Sequence, residues 1–536
     1  MVIVPQTNII LLKTPMELSD NNQLTWSTLE EQFNYFYNLP KLSLDDATYQ
    51  RKEGVIRFPT NATTTYEDLL QYNYCMYQNE AYDNKWFYAY IIEINYVNDG
   101  MSTIKIETDT WNTWWNDLTF YQSFVEREHV NDDTIGKHTI PEGLETGEYI
   151  CNSVDRDTTL SGYNANMRFI VGATTYPNMD DAKDSQCGSD IYNGIYSGVK
   201  YFRYDATSTI DIILELYAKA GKIDSITGLY MIPEWLAPLK SGTLYREVET
   251  STTPQQYQFN TAKINTLDTY SPHNNKLKTF PFMYLTLSNN TGQTNILHFE
   301  KFSDSNCTFL VQGCLCPSGS VRLFPINYNG EPANYDEGIM LGKYPICNYT
   351  SDMYTNWLTQ NSVNVLGTTL TTDDLNLGSS ISSSAIGLLT SLGSGNPAGV
   401  GLSIGSGLTG IADSMIAKKQ HNMISPSVQG NINSSDINNS AGTNTFYFYK
   451  MSIKKEYAQI IDRYFDMYGY KVNALKVPNI RGRLNWNYVK TIGCNITGNI
   501  PQLDLEKIKS LFDNGITLWH HTNTFLDYSQ SNTIIS

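Results

Sequence analysis

The sequence predicts a mainly β fold with a few helices, of the α+β class, divided into several domains. Three observations support this. The chain has 536 residues, more than a single hydrophobic core usually serves. Aromatic residues make up 12% of it, with 38 Tyr and 9 Trp, and aromatic side chains pack well on pleated strands. Strands are indicated most clearly between residues 86 and 130, where polar and apolar residues alternate.

A β-hairpin is predicted at the start of this alternating region. The apolar run WFYAYIIEINYV is followed by Asn-Asp-Gly at 98–100, which favours a tight turn, and then by STIKIETDTW. Ile104 and Ile106 should share the buried face of the second arm. The segment FVEREHV, residues 124–130, predicts a further strand.

The middle of the chain, about 131–345, predicts one or two inserted β-rich domains. Short aromatic strands such as MRFIVGATTY, FPFMYLTLSN and VRLFPINYNG alternate with turns rich in Asn, Asp, Gly and Ser. One helix is predicted over STIDIILELYAKAGK, because Ile210, Ile213, Leu214 and Tyr217 recur at helical spacing before Gly221.

The sharpest change in composition begins near Asn364, and no charged residue occurs between Asp374 and Asp413. Gly and Ser are interleaved there with aliphatic residues at helical spacing, which predicts two short, weak helices on either side of GSGNPAG. The stripe of candidate inserting residues comprises Ile381, Ile386, Leu388, Leu389, Leu392, Val400, Ile404, Leu408 and Ile411. Candidate packing glycines are Gly387, Gly401 and Gly405. On composition alone, a plain flexible linker is the alternative.

Two helices are predicted near the C-terminal end, after the strand TFYFYKMSI. The first covers 453–468 and ends at Gly469, with one apolar face formed by Ile453, Tyr457, Ile460, Ile461, Tyr464, Phe465 and Tyr468. The second, DLEKIKSLFDNG, should be capped by Asp504 and end at Gly515, burying Leu505, Ile508, Leu511 and Phe512.

Composition argues against several classes of function. The formal net charge of −17 opposes tight binding to nucleic acid phosphates, although a duplex could still pass along an acidic wall. The eight cysteines are thinly spread, and Cys314 and Cys316 lack the further ligands of a zinc site, so neither metal nor cofactor is predicted. The start MVIVPQTNIILLK does not match a secretory signal, and no apolar run of ~20 residues predicts an ordinary transmembrane helix.

The residues also bear on two other functions. A cell-wall hydrolase would need an acid and base pair, but Glu126 and Glu128 are better explained as a solvated strand face opposite Arg127 and His129. The pair His520–His521 lacks any accompanying catalytic motif, which favours packing. A receptor-binding adhesin stays open, since the Tyr-rich and Asn-rich loops of 131–345 suit carbohydrate contact.

Two segments together resemble a known family. They are NKWFYAYIIEINYVNDGMSTIKIETDTWNTW with FYQSFVEREHV at 84–130, and KKEYAQIIDRYFDMYGYKVNALKVPNIRGRLNWNYVKTIGCNITGNI with LFDNGITLWH at 454–520. Both are similar to the tail knob, or distal tail tube, proteins of small podoviruses of the phi-twenty-nine type, including phages of Gram-positive cocci. Family membership would make the chain a structural component of a phage tail and not an enzyme.

The resemblance implies an architecture and partners. Residues 1–130 and 443–536 would build β-barrel or β-sandwich tube domains, 131–345 the knob, and 346–442 a long loop containing the uncharged segment 375–412. Six copies would form a ring-shaped tube beneath the connector and lower collar proteins, beside the tail appendages. Assembled in the host cytoplasm, this tube would conduct genomic DNA without gripping it, and the loop would plug the lumen and later enter the host cell membrane as a pore.

Overall fold

The computed structural model describes residues 7–535 except for 18–20, 48, 51–53, 62, 81–82, 161–166, 178–189, 198, 206–208, 210–211, 214–215, 218–219, 221, 223–224, 244, 290–293, 316–319, 331–338 and 342–444. The described chain is mainly β-strand with few helices, as the sequence predicts. It forms two compact units. Unit 1 comprises Met1–Leu144, His273–Lys276 and Ile460–Ser536, and unit 2 comprises Glu145–Pro272 and Leu277–Gln459. The division into 1–130, 131–345, 346–442 and 443–536 stays a prediction.

The described strands are β1 Thr7–Leu12, β2 Asn22–Leu24, β3 Lys41–Ala47, β4 Tyr49–Gln50, β5 Val55–Pro59, β6 Tyr74–Asn79, β7 Trp86–Asn98, β8 Met101–Thr108, β9 Leu118–Phe120, β10 Ser123–Glu128, β11 Tyr149–Arg156, β12 Met167–Ala173, β13 Asp190–Tyr192, β14 Ile195–Ser197, β15 Lys200–Tyr204, β16 Ile226–Pro233, β17 Gln255–Ala262, β18 Met283–Ser288, β19 Thr294–Leu297, β20 Asn306–Cys314, β21 Ser320–Pro325, β22 Ile339–Leu341, β23 Tyr447–Ile453, β24 Tyr470–Lys476, β25 Trp486–Ile492, β26 Ile496–Gly498 and β27 Ile516–Trp519. The described α-helices with defined bounds are α1 Leu29–Tyr37, α2 Tyr66–Leu69, α3 Thr110–Trp114, α4 Lys455–Tyr468 and α5 Gln502–Asn514.

Unit 1 is built on a seven-stranded sheet in the order β3-β1-β6-β7-β8-β5-β4. In β1, Ile9 and Leu11 enter one hydrophobic core, while Ile10 and Leu12 enter another. Successive side chains of a strand point to opposite faces, so this uninterrupted apolar strand is buried on both sides. The predicted hairpin is confirmed as β7 and β8, with Asn98 opposite Met101 at the turn.

A second sheet of unit 1 joins the two ends of the chain, in the order β2-β27-β25-β10-β24. Strand β2 pairs in parallel with β27, with Asn22 opposite Thr517. Helix α5 packs into the core of this unit through Ile508 and Phe512. The expected cap is wrong: Pro501 precedes the helix, and Asp504 lies inside its first turn, where its carboxylate accepts a 2.8 Å hydrogen bond from the Trp114 indole.

Helix α4 ends where the sequence predicts. Gly469 has φ +64°, and a Cβ there would lie 2.2 Å from the carbonyl oxygen of Glu128, so only glycine fits. The predicted apolar face needs two corrections, because Ile453 is the last residue of β23 and precedes the helix, and because Ile460 is 65% exposed. Its place on the buried face is taken by Asp462, which lies beside Ile461 and Phe465 and is likewise buried. The face is therefore partly polar.

Unit 2 contains four smaller sheets among its described residues. Their orders are β11-β23-β18-β19, β15-β12-β16, β13-β14 and β17-β20-β21-β22. The predicted strands MRFIVGATTY, FPFMYLTLSN and VRLFPINYNG correspond to β12, β18 and β21. In the predicted helix near 208–222, the described residues Thr209, Ile213 and Tyr217 are helical, and Tyr217 is buried. Ile210, Leu214 and Gly221 lie outside the described residues.

None of the helices that the structure describes is long and apolar enough to cross a bilayer. Cys75, Cys151, Cys307 and Cys494 are free thiols. Burial raises the pKa of the Cys151 and Cys494 thiols to about 11, which disfavours the reactive thiolate.

Candidate functional site at the anchors of the uncharged segment

The candidate insertion residues all fall within 342–444, outside the described residues. These are Ile381, Ile386, Leu388, Leu389, Leu392, Val400, Ile404, Leu408 and Ile411, with the packing glycines Gly387, Gly401 and Gly405. The described chain nevertheless defines where this stretch departs and where it returns. Both anchors belong to unit 2.

The departure anchor is β22, the edge strand of the sheet β17-β20-β21-β22. It pairs antiparallel with β21, with Leu341 opposite Val321 and Ile339 opposite Leu323. Val321 and Leu323 of β21 are buried. Strand β22, the last described strand before the segment, is therefore paired with a strand that contributes side chains to the core.

The return anchor begins at Thr445 and Phe446, both fully buried. The Thr445 hydroxyl donates to the carbonyl oxygen of Asp157 at 2.5 Å, and the Asp157 N–H donates to the carbonyl oxygen of Phe446 at 3.2 Å. The Asp157 carboxylate accepts hydrogen bonds from the Tyr257 hydroxyl and from the Thr159 N–H, the latter at 2.9 Å. Burial raises the pKa of Asp157 despite these bonds. Burial and hydrogen bonds to Asp157 therefore hold the chain in place from the first described residues of the return anchor.

Strand β23 continues the return anchor through the centre of a sheet. It pairs with β11 on one side and with β18 on the other. The Phe448 ring stacks on Phe259 with centroids 4.7 Å apart and lies 4.9 Å from Phe309. The Lys450 ammonium, with its side chain 7% exposed, lies 2.8 Å from Asp155 Oδ2. The described strands on either side of 342–444 are therefore both paired within sheets of unit 2.

Unit 1 contains a second polar site that the sequence did not predict. We call it the clasp: the segment His273–Lys276 and the acidic residues that hold it. The N–H groups of His273 and Asn274 donate to the Asp462 carboxylate at 2.7 and 3.1 Å. The Asn274 side-chain amide donates to Asp462 Oδ1 at 2.8 Å and to Asp466 Oδ1 at 2.7 Å. Burial raises the pKa of Asp466, and the neighbouring Asp462 raises it further.

The other end of the clasp is ionic. Lys276 and Arg127 both form ion pairs with Glu142, whose side chain is 1% exposed. Burial lowers the pKa of Lys276, and Glu142 opposes that shift. Glu142 also accepts a 3.0 Å hydrogen bond from the N–H of Lys471. The charge of this buried carboxylate is balanced by two cations, and its oxygens accept hydrogen bonds from them and from an amide. Such an arrangement is typical of a structural ion pair and not of an acid catalyst.

Glu126 and Glu128, the two carboxylates that a hydrolase could use as acid and base, each form an ion pair with a lysine. Glu126 forms an ion pair with Lys490 at 2.8 Å. Glu128, expected on a solvated face, is instead fully buried, where it binds the Lys476 ammonium and accepts a 2.9 Å bond from the N–H of Asn479. The cause is a bulge between Val125 and Arg127, which breaks the simple alternation of the strand.

The two histidines near the C-terminal end differ in environment. His520 Nδ1 lies 2.8 Å from the Thr25 hydroxyl, and its Nε2 lies 3.0 Å from Asn487 Oδ1. Burial lowers the pKa of His520 to about 4, so it is neutral at physiological pH. His521 is exposed. The preceding Trp519 is fully buried, which supports a packing role for this region. No set of three His, Cys, Asp or Glu side chains in the described ranges is arranged to hold a metal ion.

Comparison with known proteins matches both parts of the chain. A model of the C-terminal domain of the tail knob protein gp9 of Bacillus phage phi29 matches residues 245–533. A model of the Caudoviral major tail protein N-terminus matches residues 5–119. The chain is 25% identical over 609 aligned positions to the tail knob protein gp9 of Bacillus phage phi29, covering 98% of each. It is also 25% identical to the corresponding protein of Bacillus phage B103, covering 96% of each.

The fold has a solved counterpart in the tail knob protein gp12 of bacteriophage C1. The TM-score is 0.64 at 14% sequence identity, covering 99% of this chain and all of that one. The matches define the chain as a structural protein of a phage tail. It belongs to the family of the phi29 tail knob protein gp9, whose C-terminal domain model covers more than half of it. The family expected from the two terminal segments is thereby confirmed.

Proposed function

We propose that the protein forms a closed hexameric ring whose lumen conducts the genome during ejection. In this proposal the uncharged segment plugs the lumen before infection and then enters the host cell membrane as a pore. Residues 1–130 and 443–536 build the tube, 131–345 the knob and 346–442 the loop. The ring joins connector or lower collar proteins and tail appendages in the virion, after assembly in the host cytoplasm.

One observation carries the membrane part of this proposal. A run without a single charged residue, between Asp374 and Asp413, belongs to a stretch whose two flanks are paired strands of unit 2. A charged side chain at the centre of a bilayer costs ~3 kcal/mol on insertion scales, so a charge-free run is what insertion requires. The buried return anchor at Thr445 and Phe448 supports the idea, because it would keep the chain attached while the segment is inserted.

The composition of the segment suits two environments. Gly and Ser make a helix marginal in water, whereas small residues such as Gly401 and Gly405 allow close helix packing in lipid. Each aliphatic side chain buried gains about 1.5 kcal/mol or more, but ordering the glycines offsets much of the sum. Six loops delivered together raise the effective concentration, so assembly would favour insertion where one loop would not.

The conduit part is supported by charge. A net charge of −17 opposes attachment to phosphates, so DNA can move along such a protein without being trapped. Ring formation is tested by negative-stain class averages and light scattering of the purified protein, and we expect sixfold averages with a lumen wide enough for duplex DNA. A monodisperse monomer at high concentration, or a trimer that binds cell wall as an adhesin would, contradicts the conduit.

Membrane insertion is tested by dye release from liposomes after mild acidification of the assembled protein. Leu389→Asp with Leu408→Asp should abolish release and leave oligomerisation intact, because each carboxylate must enter hydrocarbon. The matched control, Leu389→Ile with Leu408→Ile, keeps both positions apolar and should leak like the parent. If the Asp variant leaks as well as the parent does, or if deleting 375–412 leaves infection unaffected, the segment is only a linker.

A further inference from the structure

Unit 2 contains a hydrophobic cluster on one face of the sheet β11-β23-β18-β19. Strand pairing places Met451 of β23 directly opposite Cys151 of β11 and Tyr284 of β18, so the three strands present these side chains on the same side. In the next row, Tyr449 lies opposite Val154 and Thr286. We call this the tyrosine face, after Tyr149, Tyr284, Tyr447 and Tyr449, which all belong to the cluster.

The tyrosine face runs from a buried centre to an exposed apolar edge. The rings of Tyr149 and Tyr284 pack edge-on with centroids 5.5 Å apart, and the Phe280 ring lies 5.9 Å from Tyr284. Phe280 is 40% exposed. Ile296 of β19 lies opposite Thr286 and is 51% exposed. Ring contacts and strand register therefore join these residues into one continuous surface.

The two sides of this sheet differ in what the described residues place over them. On the side opposite the tyrosine face, Phe448 stacks on Phe259 of β17 and lies against Phe309 of β20. On the tyrosine face, the described members of the cluster all come from β11, β23 and β18. An apolar sheet face is stable when a second layer covers it. The described part of this cluster has one layer, which predicts that a further segment packs over it.

The positions of the chain ends favour one occupant. Strand β23, which lies between β11 and β18, is the strand in which the chain returns from 342–444. The 32 positions from Asp413 to Thr445 can span up to about 100 Å when extended. The uncharged segment can therefore reach any part of this face. Its attachment to the same unit raises its effective concentration there, so a contact of modest affinity is sufficient.

The chemistry of the face favours the same occupant. The described rows that contain Tyr449 and Met451 have no charged residue. The segment 375–412 has none either, and it supplies aliphatic side chains such as Leu389. The stretch that follows it carries charges, Lys418 among them, and burial of such a group on an apolar face is costly.

We propose that residues 375–412 pack over the tyrosine face of their own chain before infection. This inference rests on the proposed function, in which the segment is kept in the tail until it enters the membrane, and it names the surface that holds the segment. Six uncovered aliphatic segments in one particle would promote aggregation, so each copy needs such a surface. In the proposed ring, the tyrosine face borders the part of the lumen that the segment plugs.

A photoreactive side chain at the edge of the face tests the contact in the assembled, full-length protein. Phe280→p-benzoylphenylalanine keeps an aromatic ring at this exposed position. After illumination, mass spectrometry of chymotryptic peptides should show position 280 joined to a peptide from 375–412. The cross-linked chain should keep the mass of a monomer in denaturing electrophoresis. The control carries the same group at Ile326, a 45% exposed position of unit 2 outside the face, and should give no such product.

Three outcomes of the cross-linking overturn the proposal. They are the absence of a product at position 280, a product joined only to 342–374 or 413–444, and a product joined to another copy. The third outcome would show that a neighbouring chain covers the face.

Ile296→Asp tests how much the face contributes to holding the segment. A carboxylate at this exposed position should weaken an apolar contact, and elastase should then cleave within 375–412 about tenfold faster or more than in the parent, because cleavage follows the population of the open form. Ile326→Asp is the matched control and should be cleaved at the parent's rate. Thermal melting verifies that both variants are folded. Equal cleavage of the Ile296 variant and the parent contradicts the proposal.

The docking proposal and the proposed function fail separately. If position 280 joins 375–412 but the acidified assembly releases no dye, the face holds the segment and membrane insertion is wrong. If dye release depends on Leu389 and Leu408 but position 280 never joins 375–412, insertion stands and docking on the tyrosine face is overturned.

Discussion

The Oδ1 atom of Asp462 accepts a hydrogen bond from the side-chain amide of Asn274 at 2.8 Å, although 188 positions separate the two residues in the chain. Both are buried. The contact fixes a four-residue segment, taken from the middle of the sequence, inside unit 1. Loss of this hydrogen bond should therefore lower the stability of unit 1, although Asn274 lies far from the rest of that unit in sequence.

Asp462→Ala should destabilise unit 1 by about 3 kcal/mol or more, because the buried donors of Asn274 and the N–H of His273 lose a charged acceptor. Hydrogen exchange should show faster exchange for the peptides that contain 273–276 and α4. Glu456→Ala, an exposed carboxylate of the same helix, serves as the control and should change stability by less than about 0.5 kcal/mol. Equal exchange in the two variants would contradict a structural role for the clasp.

Glu142→Gln should cost about 3–5 kcal/mol, since Arg127 and Lys276 keep their charges but lose the carboxylate between them. Lys276→Met combined with Glu142→Gln should be less destabilising than the sum of the two single changes. A double-mutant cycle measured by urea unfolding gives the coupling directly. Additive effects would show that the ion pair between Lys276 and Glu142 contributes nothing to stability.

Acid should destabilise the protein partly through His129. Its Nδ1 accepts the Tyr488 N–H at 2.7 Å, so Nε2 carries the proton and donates to the Asp466 carbonyl oxygen at 3.0 Å. Burial lowers the pKa of His129 to about 3. Between pH 6.5 and 3, His129 is protonated in the unfolded chain but not in the folded protein. Its contribution to the free energy of unfolding is therefore fully present above pH ~6.5 and falls by ~1.4 kcal/mol per pH unit below that value.

The measurement for His129 is the urea midpoint at several pH values between 7 and 4.5. His129→Gln should be less stable at pH 7 but should lose stability less steeply as the pH falls. His521→Gln, at an exposed position, should keep the parent's slope. A His129→Gln slope equal to the parent's would show that the imidazole is protonated in the folded protein as well.

Phe448→Ala should loosen the return anchor, at a cost of about 3–5 kcal/mol to unit 2. The ring contacts Phe259 and Phe309, so faster hydrogen exchange should appear in β17, β20 and β23. Ile296→Ala, at an exposed position of β19, should leave these strands protected. Unchanged exchange around β23 in the Phe448 variant would mean that other contacts hold the anchor.

Local patterns in the sequence predicted the local structure well. The hairpin of β7 and β8 follows from alternation and from the Asn-Asp-Gly turn, and the end of α4 follows from Gly469. Errors arose where a long-range contact decides the outcome. Glu128 is buried because β10 has a bulge and because Lys476, 348 residues away, is placed against it. Neither the bulge nor the contact with Lys476 can be predicted from the residues around Glu128.

The clasp shows the same limit for the polar site. Residues 273–276 form the short polar run HNNK, whose partners come from other parts of the sequence. One indication was present: Asp462 and Asp466, four positions apart, fall beside the apolar stripe of α4. Carboxylates on a buried face require donors, so this spacing predicts a polar partner but does not identify it. The candidate insertion residues, by contrast, rest on composition and helical spacing alone.

The parallel pairing of β2 with β27 also has a consequence for how the protein is made. Thr25 donates to the carbonyl oxygen of Trp519, 494 positions later, so the second sheet of unit 1 cannot be completed until residue 519 has been synthesised. At ~5–20 residues per second this takes on the order of half a minute or more. Strand β24, with Leu475, also emerges from the ribosome late. A growing chain thus holds only β2 and β10 of this sheet until residue 470 has been made, so unit 1 completes its folding late in translation.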